Sequence, residues 1–137
     1  MKPIGYWLNR TDQALTATMN ALLAEYGLTR LAWQVLNVVE DDPQATDTAV
    51  RTVLAANASP AELTTAVTAV LTGDWATRPA PGRLALTDAG RARLALVGER
   101  VAAFREASTA GITPEEYRTA VSVLERMTHN LTAGQER

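Results

Sequence analysis

SPAELTTAVTAVLTGDWATRPAPGRLALTDAGR, residues 59–91, carries the strongest local signals in this chain. It opens on a clear helix start. Ser59 stands at the cap, Pro60 at the first helical position, and Glu62 three residues beyond the cap completes a capping box. Leu63, Val67, Val70 and Leu71 then recur at helical spacing, so one face is apolar and turns inward. Gly73 ends this helix after Thr72. Two short extended pieces follow, around Trp75–Arg78 and Arg83–Leu86, joined by the turn chemistry of Pro79-Ala80-Pro81-Gly82. Thr87 or Asp88 caps a long helix reaching Ser108, with the stripe Leu94, Val97, Val101 and Phe104. The segment therefore reads as a helix, a tight hairpin and a second helix.

Upstream, the spacing predicts three more helices. Leu8, Leu15, Met19, Leu22 and Tyr26 share one face of a first helix from Ile4 to Glu25, which Gly27 stops. Thr29 caps a second, Arg30 to Glu40, with Leu31, Val35 and Val38 inward; Glu40-Asp41-Asp42-Pro43 breaks it. A third runs from Asp47, its expected cap, to Ala56, with Val50, Val53 and Leu54 inward and a turn at Asn57-Ala58. Downstream, Gly111 ends the long helix, and Thr113-Pro114-Glu115-Glu116 repeats the cap, proline and acid pattern. It opens a sixth helix to Leu131, leaving a frayed tail over residues 132–137. Two short helices joined by a tight turn and followed at once by a hairpin form a winged helix-turn-helix. The expected fold class is mainly α: six helices and a short β-hairpin in one domain, 1–137, with the winged module over 29–87 and long flanking helices over 4–26 and 88–131.

Composition sets the outer limits. The chain has 137 residues, enough to bury a core without staples, and no cysteine, which excludes disulfides, thiolate metal sites and cysteine nucleophiles. No apolar run approaches the roughly 18 residues of a membrane span. The start Met1-Lys2-Pro3-Ile4-Gly5 has no leader-like apolar stretch, so the expected compartment is the cytoplasm. The net charge is −2, but it is unevenly spread. Residues 31–77 hold Arg51 against six acids, a net of −5, whereas residues 78–137 hold nine arginines against seven acids.

Particular residues carry a family resemblance. Leu84-Ala85-Leu86-Thr87-Asp88-Ala89-Gly90-Arg91 resembles the end of the wing and the start of the long helix in the MarR family of bacterial regulators. Gly111-Ile112-Thr113-Pro114-Glu115-Glu116 looks like that family's entry to its last helix, and Gly27-Leu28-Thr29 followed by Trp33 like its entry to the second. The resemblance implies a homodimer in which the first, fifth and sixth helices interlock as a dimerisation layer. Tyr117, Val121, Leu124 and Leu131 on the last helix are apolar positions that a partner would cover. The competing reading is that these stripes close a core within one chain.

The resemblance also makes the Ser59 helix the one that reads double-stranded DNA, at an inverted-repeat operator. Its outward residues are Ala61, Glu62, Thr64, Thr65 and Thr68, with no cation between Arg51 and Arg78. Threonines reach phosphates and thymine methyls, but a glutamate is repelled by phosphates. The wing is cut to Arg78-Pro79-Ala80-Pro81-Gly82-Arg83 and lacks the family's Asp-x-Arg pair near its tip. The expected DNA contacts are Arg30, Arg51, Ser59, Thr64, Thr65, Thr68, Arg78 and Arg83. Small aromatic ligands bind MarR-like proteins between the two layers, which points to Tyr6, Trp7, Tyr26 and Trp33; as plain packing residues, Tyr26 and Trp33 belong to the core and Tyr6 and Trp7 to a partner surface.

No catalytic, metal or cofactor site is expected. His129 is the only histidine and sits near the end of the last helix, where a cation suits the dipole. Asp41-Asp42 lies in a loop and Glu115-Glu116 in a helix cap, and Gly82, Gly90 and Gly98 are too scattered for a phosphate loop. The leading function is a ligand-responsive transcriptional regulator. The alternative is the same fold without specific DNA binding, acting as a small-molecule binding protein or an enzyme through its interfacial pocket.

Overall fold

The computed structural model describes residues 1–135. It has six helices and one hairpin: α1 (Ile4–Ala24), α2 (Arg30–Asp41), α3 (Asp47–Val53), α4 (Pro60–Thr72), β1 (Ala76–Thr77), β2 (Ala85–Leu86), α5 (Asp88–Ser108) and α6 (Pro114–Gln135). The chain divides into a compact unit Met1–Val101 and a second that starts at Ala102.

In the first unit α2 is central and packs on α1, α3, α4 and β2. Leu23, Val35, Leu36, Val50, Leu63, Val70, Leu84 and Val97 are its largest fully buried side chains. Each contributes on the order of 1.5–3 kcal/mol relative to exposure. The capping box opens α4 as expected: the Glu62 N–H donates to Ser59 Oγ at 3.2 Å, and the Ser59 N–H donates to Glu62 Oε1 at 3.0 Å. Thr29 caps α2, accepting from the Ala32 N–H at 3.1 Å.

Local details depart from expectation. The buried face of α2 is Ala32, Val35, Leu36 and Val39, leaving Leu31 and Val38 half-buried. Thr46, not Asp47, caps α3 by accepting from the Ala49 N–H at 3.0 Å. That helix ends at Val53 rather than Ala56, and Val53 is 62% exposed while Val50 and Leu54 are buried. On α4 Ala66 joins the buried set and Leu71 is half-buried.

The hairpin is minimal. Ala76 pairs with Leu86 and Thr77 with Ala85, antiparallel. Arg83 lies outside the strand and bridges Thr46 instead, and the Leu84 N–H donates to the Ala45 carbonyl at 3.0 Å. Segment 45–47 thus lines the outer edge of the wing. At the tip the Arg83 N–H donates to the Ala80 carbonyl at 3.0 Å, and Gly82 has φ +76°. Proline at the second turn position and a left-handed glycine at the third are what a type II turn requires.

The long helix starts against the hairpin. Thr87 Oγ1 accepts from the Gly90 N–H at 2.8 Å and donates to the Asp74 carbonyl at 2.7 Å, while the Thr87 N–H donates to the Trp75 carbonyl at 3.0 Å. A side chain at Gly90 would place its first carbon 1.9 Å from that carbonyl oxygen, so only glycine fits. Trp75 is 3% exposed and Arg93 lies over its ring, 3.8 Å from the centroid.

In the second unit, Thr113 and Glu116 close another capping box at 2.9 and 3.1 Å. The sixth helix continues through Thr132 to Gln135, where a frayed tail was expected; Glu136 and Arg137 lie outside the described residues. Tyr117, Val121, Met127 and Leu131 are exposed on it, and Leu124 is half-buried.

Candidate nucleic-acid interface

A shallow cleft opens between α3, α4 and the base of the wing. It is lined by Asp47, Arg51, Thr64, Thr68 and Arg78 above a floor of Val50, Leu63 and Val67. The floor exists because the inward stripe of α4 meets the inward face of α3. The rim exists because each threonine follows an inward residue by one position, about 100° round the helix from it. The fold thus brings together Arg51, Thr64, Thr68 and Arg78, four of the residues expected to contact DNA.

Their chemistry is restrained. Thr64 and Thr65 donate their hydroxyls to the Pro60 and Ala61 carbonyls at 3.0 and 3.1 Å. Such a hydroxyl offers a partner only lone pairs and its methyl group. Thr68 has no hydrogen bond among the described residues, so its hydroxyl is free to donate. Arg51 makes a long 3.4 Å contact to Thr48 Oγ1, whereas Arg78 Nη1 sits 3.1 Å from Asp47 Oδ1.

The other expected contacts lie apart from this cleft. Ser59 is occupied by the capping box. The Ser59 N–H, and then its hydroxyl, hold the Glu62 carboxyl below its ordinary 4.5. A carboxylate therefore stands at the start of α4, where a phosphate would otherwise be favoured. Arg83 is half-buried, donates from Nη2 to the Pro43 carbonyl at 3.4 Å, and has a buried Nε without a partner. Arg30 is exposed on the first turn of α2 and unpaired among the described residues.

The aromatic residues do not gather at one place on the chain. Tyr6 and Trp7 meet edge to face, centroids 5.0 Å apart, with Lys2 and Arg10 over the Tyr6 ring. Tyr26 lies past the far end of α1, twenty residues on, which is about 30 Å of helix. There its carbonyl accepts from Arg93 at 3.5 Å, and neighbouring Glu25 holds Arg100 at 2.7 Å. Trp33 is half-buried on the first turn of α2. Sequence reading passed over the Trp75–Arg93 stack and the Asp47–Arg78 pair. The tryptophan beside Gly73-Asp74 was a usable signal for the first; partners 31 residues apart left none for the second. Among the described residues no group of His, Asp or Glu could hold a metal, and no helix is long and apolar enough to cross a membrane.

These elements define a winged helix-turn-helix protein flanked by long helices. More narrowly, the chain has the fold of MarR family regulators. It is similar to the Mycobacterium tuberculosis MarR family protein Rv2887, solved in complex with DNA, at TM-score 0.72 and 24% identity over 93% of this chain and 98% of that one. The reduced form of MarR from E. coli matches at TM-score 0.71 and 20% identity over 93% and 94% of the two chains. The transcriptional repressor CouR, bound to p-coumaroyl-CoA, matches at TM-score 0.74 and 23% identity over 92% and 91%. No family model and no curated protein matches the sequence.

Proposed function

We propose that this protein is a homodimeric transcriptional regulator that binds an inverted-repeat operator through its two winged modules. The observation that carries this reading is the cleft in which Arg51, Arg78, Thr64 and Thr68 face outward from the helix-turn-helix. The threonine methyls suit thymine methyls, the Thr68 hydroxyl can donate to a phosphate oxygen, and arginines at the rim supply the phosphate neutralisation on which affinity depends. Arg30, Ser59, Thr65 and Arg83 lie outside the cleft, and we assign them to the same DNA surface.

Dimerisation is supported by apolar surface that the single chain leaves open. Ile4, Trp7, Leu8 and Leu15 on α1, and Tyr117, Val121 and Leu131 on α6, are each at least 40% exposed. Two heads held apart at about 34–36 Å reach successive major grooves. Rv2887 with DNA and CouR with p-coumaroyl-CoA are precedents on this fold for the two kinds of ligand. Tyr6 and Trp7 near one end of α1, and Tyr26 and Trp33 beyond the other, are the separate aromatic positions we offer for a small ligand that acts by favouring one spacing of the heads. The working compartment of such a regulator is the cytoplasm.

A second reading has its own support. Arg78 is held by Asp47, Arg83 points to a backbone carbonyl, and the outward face of α4 has no cation. These features suit a fold whose reading head has lost its operator and whose interfacial pocket serves a small molecule. Binding of the intact protein to its own upstream DNA, measured over a salt series, separates the two. A footprint at low salt that Arg51→Ala weakens, with a slope flatter by about 0.9 per head, supports the regulator. An intact dimer that leaves no footprint at low salt refutes it.

A further inference from the structure

Asp47 holds the wing at two points. Its backbone N–H donates to the Gly82 carbonyl at 3.1 Å, one end of the tip turn. Its carboxylate takes Arg78 Nη1 at 3.1 Å, one residue past the strand that enters that turn. Both side chains remain partly open to solvent, and both line the cleft that holds Arg51, Thr64 and Thr68. The only carboxylate on that lining thus lies against one of its two cations. A phosphate approaching Arg78 meets a site where an oxyanion already sits.

We infer that Asp47 is an affinity-limiting residue, an internal stand-in for a phosphate that DNA must displace from Arg78. This rests on the DNA-binding reading above and deepens it. The carboxylate acts twice: it occupies the guanidinium, and it repels the backbone that replaces it. Bound DNA therefore gains from Arg78 only the difference between a phosphate and Asp47. An exposed ion pair is weak enough to exchange in this way. The backbone bond to Gly82 needs no carboxylate, so the wing keeps its place when the charge is removed.

Asp47→Asn tests this. Asparagine keeps an oxygen for Arg78 and the backbone bond to Gly82, but removes the charge. Freeing one arginine per head steepens the salt dependence by about 0.9 per head, or about 1.8 for a dimer. Over a fourfold change in salt that is roughly a tenfold effect on affinity. The full-length protein is titrated against a labelled duplex from its own upstream region and an unrelated duplex, between 50 and 200 mM salt. Asp41→Asn is the charge-matched control, because Asp41 is exposed and pairs with no cation among the described residues. Thermal melts check folding, and Asp47→Ser takes the place of D47N if that variant does not fold.

Tighter binding by D47N with a steeper slope, unchanged binding by D41N, and loss of the gain in D47N with Arg78→Gln support the inference. Binding by D47N where the native protein binds nothing supports it more strongly. Equal or weaker binding by D47N beside a native protein that does bind overturns the inference and leaves the regulator reading standing. An equal gain from D41N overturns it as well. Failure of both proteins to bind either duplex at low salt overturns the two together.

Discussion

Replacing Gly90 with alanine should destabilise the protein, although it puts a better helix former into a helix. The new carbon would sit 1.9 Å from the Trp75 carbonyl oxygen, 2.7 Å from its carbon and 2.9 Å from Thr87 Oγ1. Ordinary contact begins at 3.4 Å, so α5 and the Trp75 backbone must part by about 1.5 Å. Overpacking of this kind costs about 1–3 kcal/mol. The Thr87 cap on the Gly90 N–H and the Thr87–Trp75 backbone bond stand in the same place, and losing them costs about 1 kcal/mol each. Alanine returns about 1 kcal/mol in helix propensity, leaving a net loss of roughly 2–4 kcal/mol.

Gly98 lies on the same helix, exposed, with nothing within 4 Å of an added carbon. Gly98→Ala should therefore stabilise by up to about 1 kcal/mol. Urea unfolding of the two variants at equal protein concentration gives opposite signs if close approach explains Gly90. If both shift midpoints the same way, the packing argument at Trp75 is wrong.

Three further outcomes are expected. Asp74 has φ +62°, so Asp74→Val should cost about 1–2 kcal/mol in urea unfolding, while Asp74→Asn stays within about 0.5 kcal/mol. Glu62 and Glu116 are held below 4.5 by Ser59 and Thr113, backbone N–H first in each case. Their folded pKa values are depressed, so the stability they add is complete above pH 4.5 and is lost as pH falls through the lower folded values. Ser59→Ala and Thr113→Ala should flatten the acid limb of a stability-versus-pH curve. Val121→Glu puts a charge on the exposed apolar face of α6 and should convert a dimer to a monomer in light scattering, with helical content retained.

What the sequence disclosed depended on distance along the chain. Both capping boxes span four residues, and both formed as written. The face of α2 was misread by one position because Leu31, Val35 and Val38 and Ala32, Val35, Leu36 and Val39 are overlapping apolar stripes. Only the location of α4 and β2 chooses between them. Val53 is apolar yet exposed because α3 ends there and the chain turns at Leu54. Gly73 ends α4 as expected but for another reason. Its φ is −82°, the left-handed residue is Asp74, and an added carbon at Gly73 would meet the Trp75 ring at 3.0 Å. Gly90 was visible as part of a motif; its cause, the Trp75 carbonyl, lies fifteen residues away.

The same division separates fold from affinity. Caps, turns and apolar stripes are short-range features, and they specify the winged module even though residues 31–77 carry a net of −5. Affinity for a polyanion depends on which cations remain free after folding. Of the arginines near the module, Arg30 and Arg51 face solvent without a carboxylate, Arg83 spends a donor on a carbonyl, and Arg78 is taken by Asp47. With three arginines effective per head, a dimer would show a salt slope of about −5.4; with Arg78 released it would approach about −7.2. The two values describe one backbone, and a single carboxylate 31 residues from its partner separates them. The packing that builds the reading head therefore does not set its strength, because Asp47 can lose its charge without disturbing a buried contact.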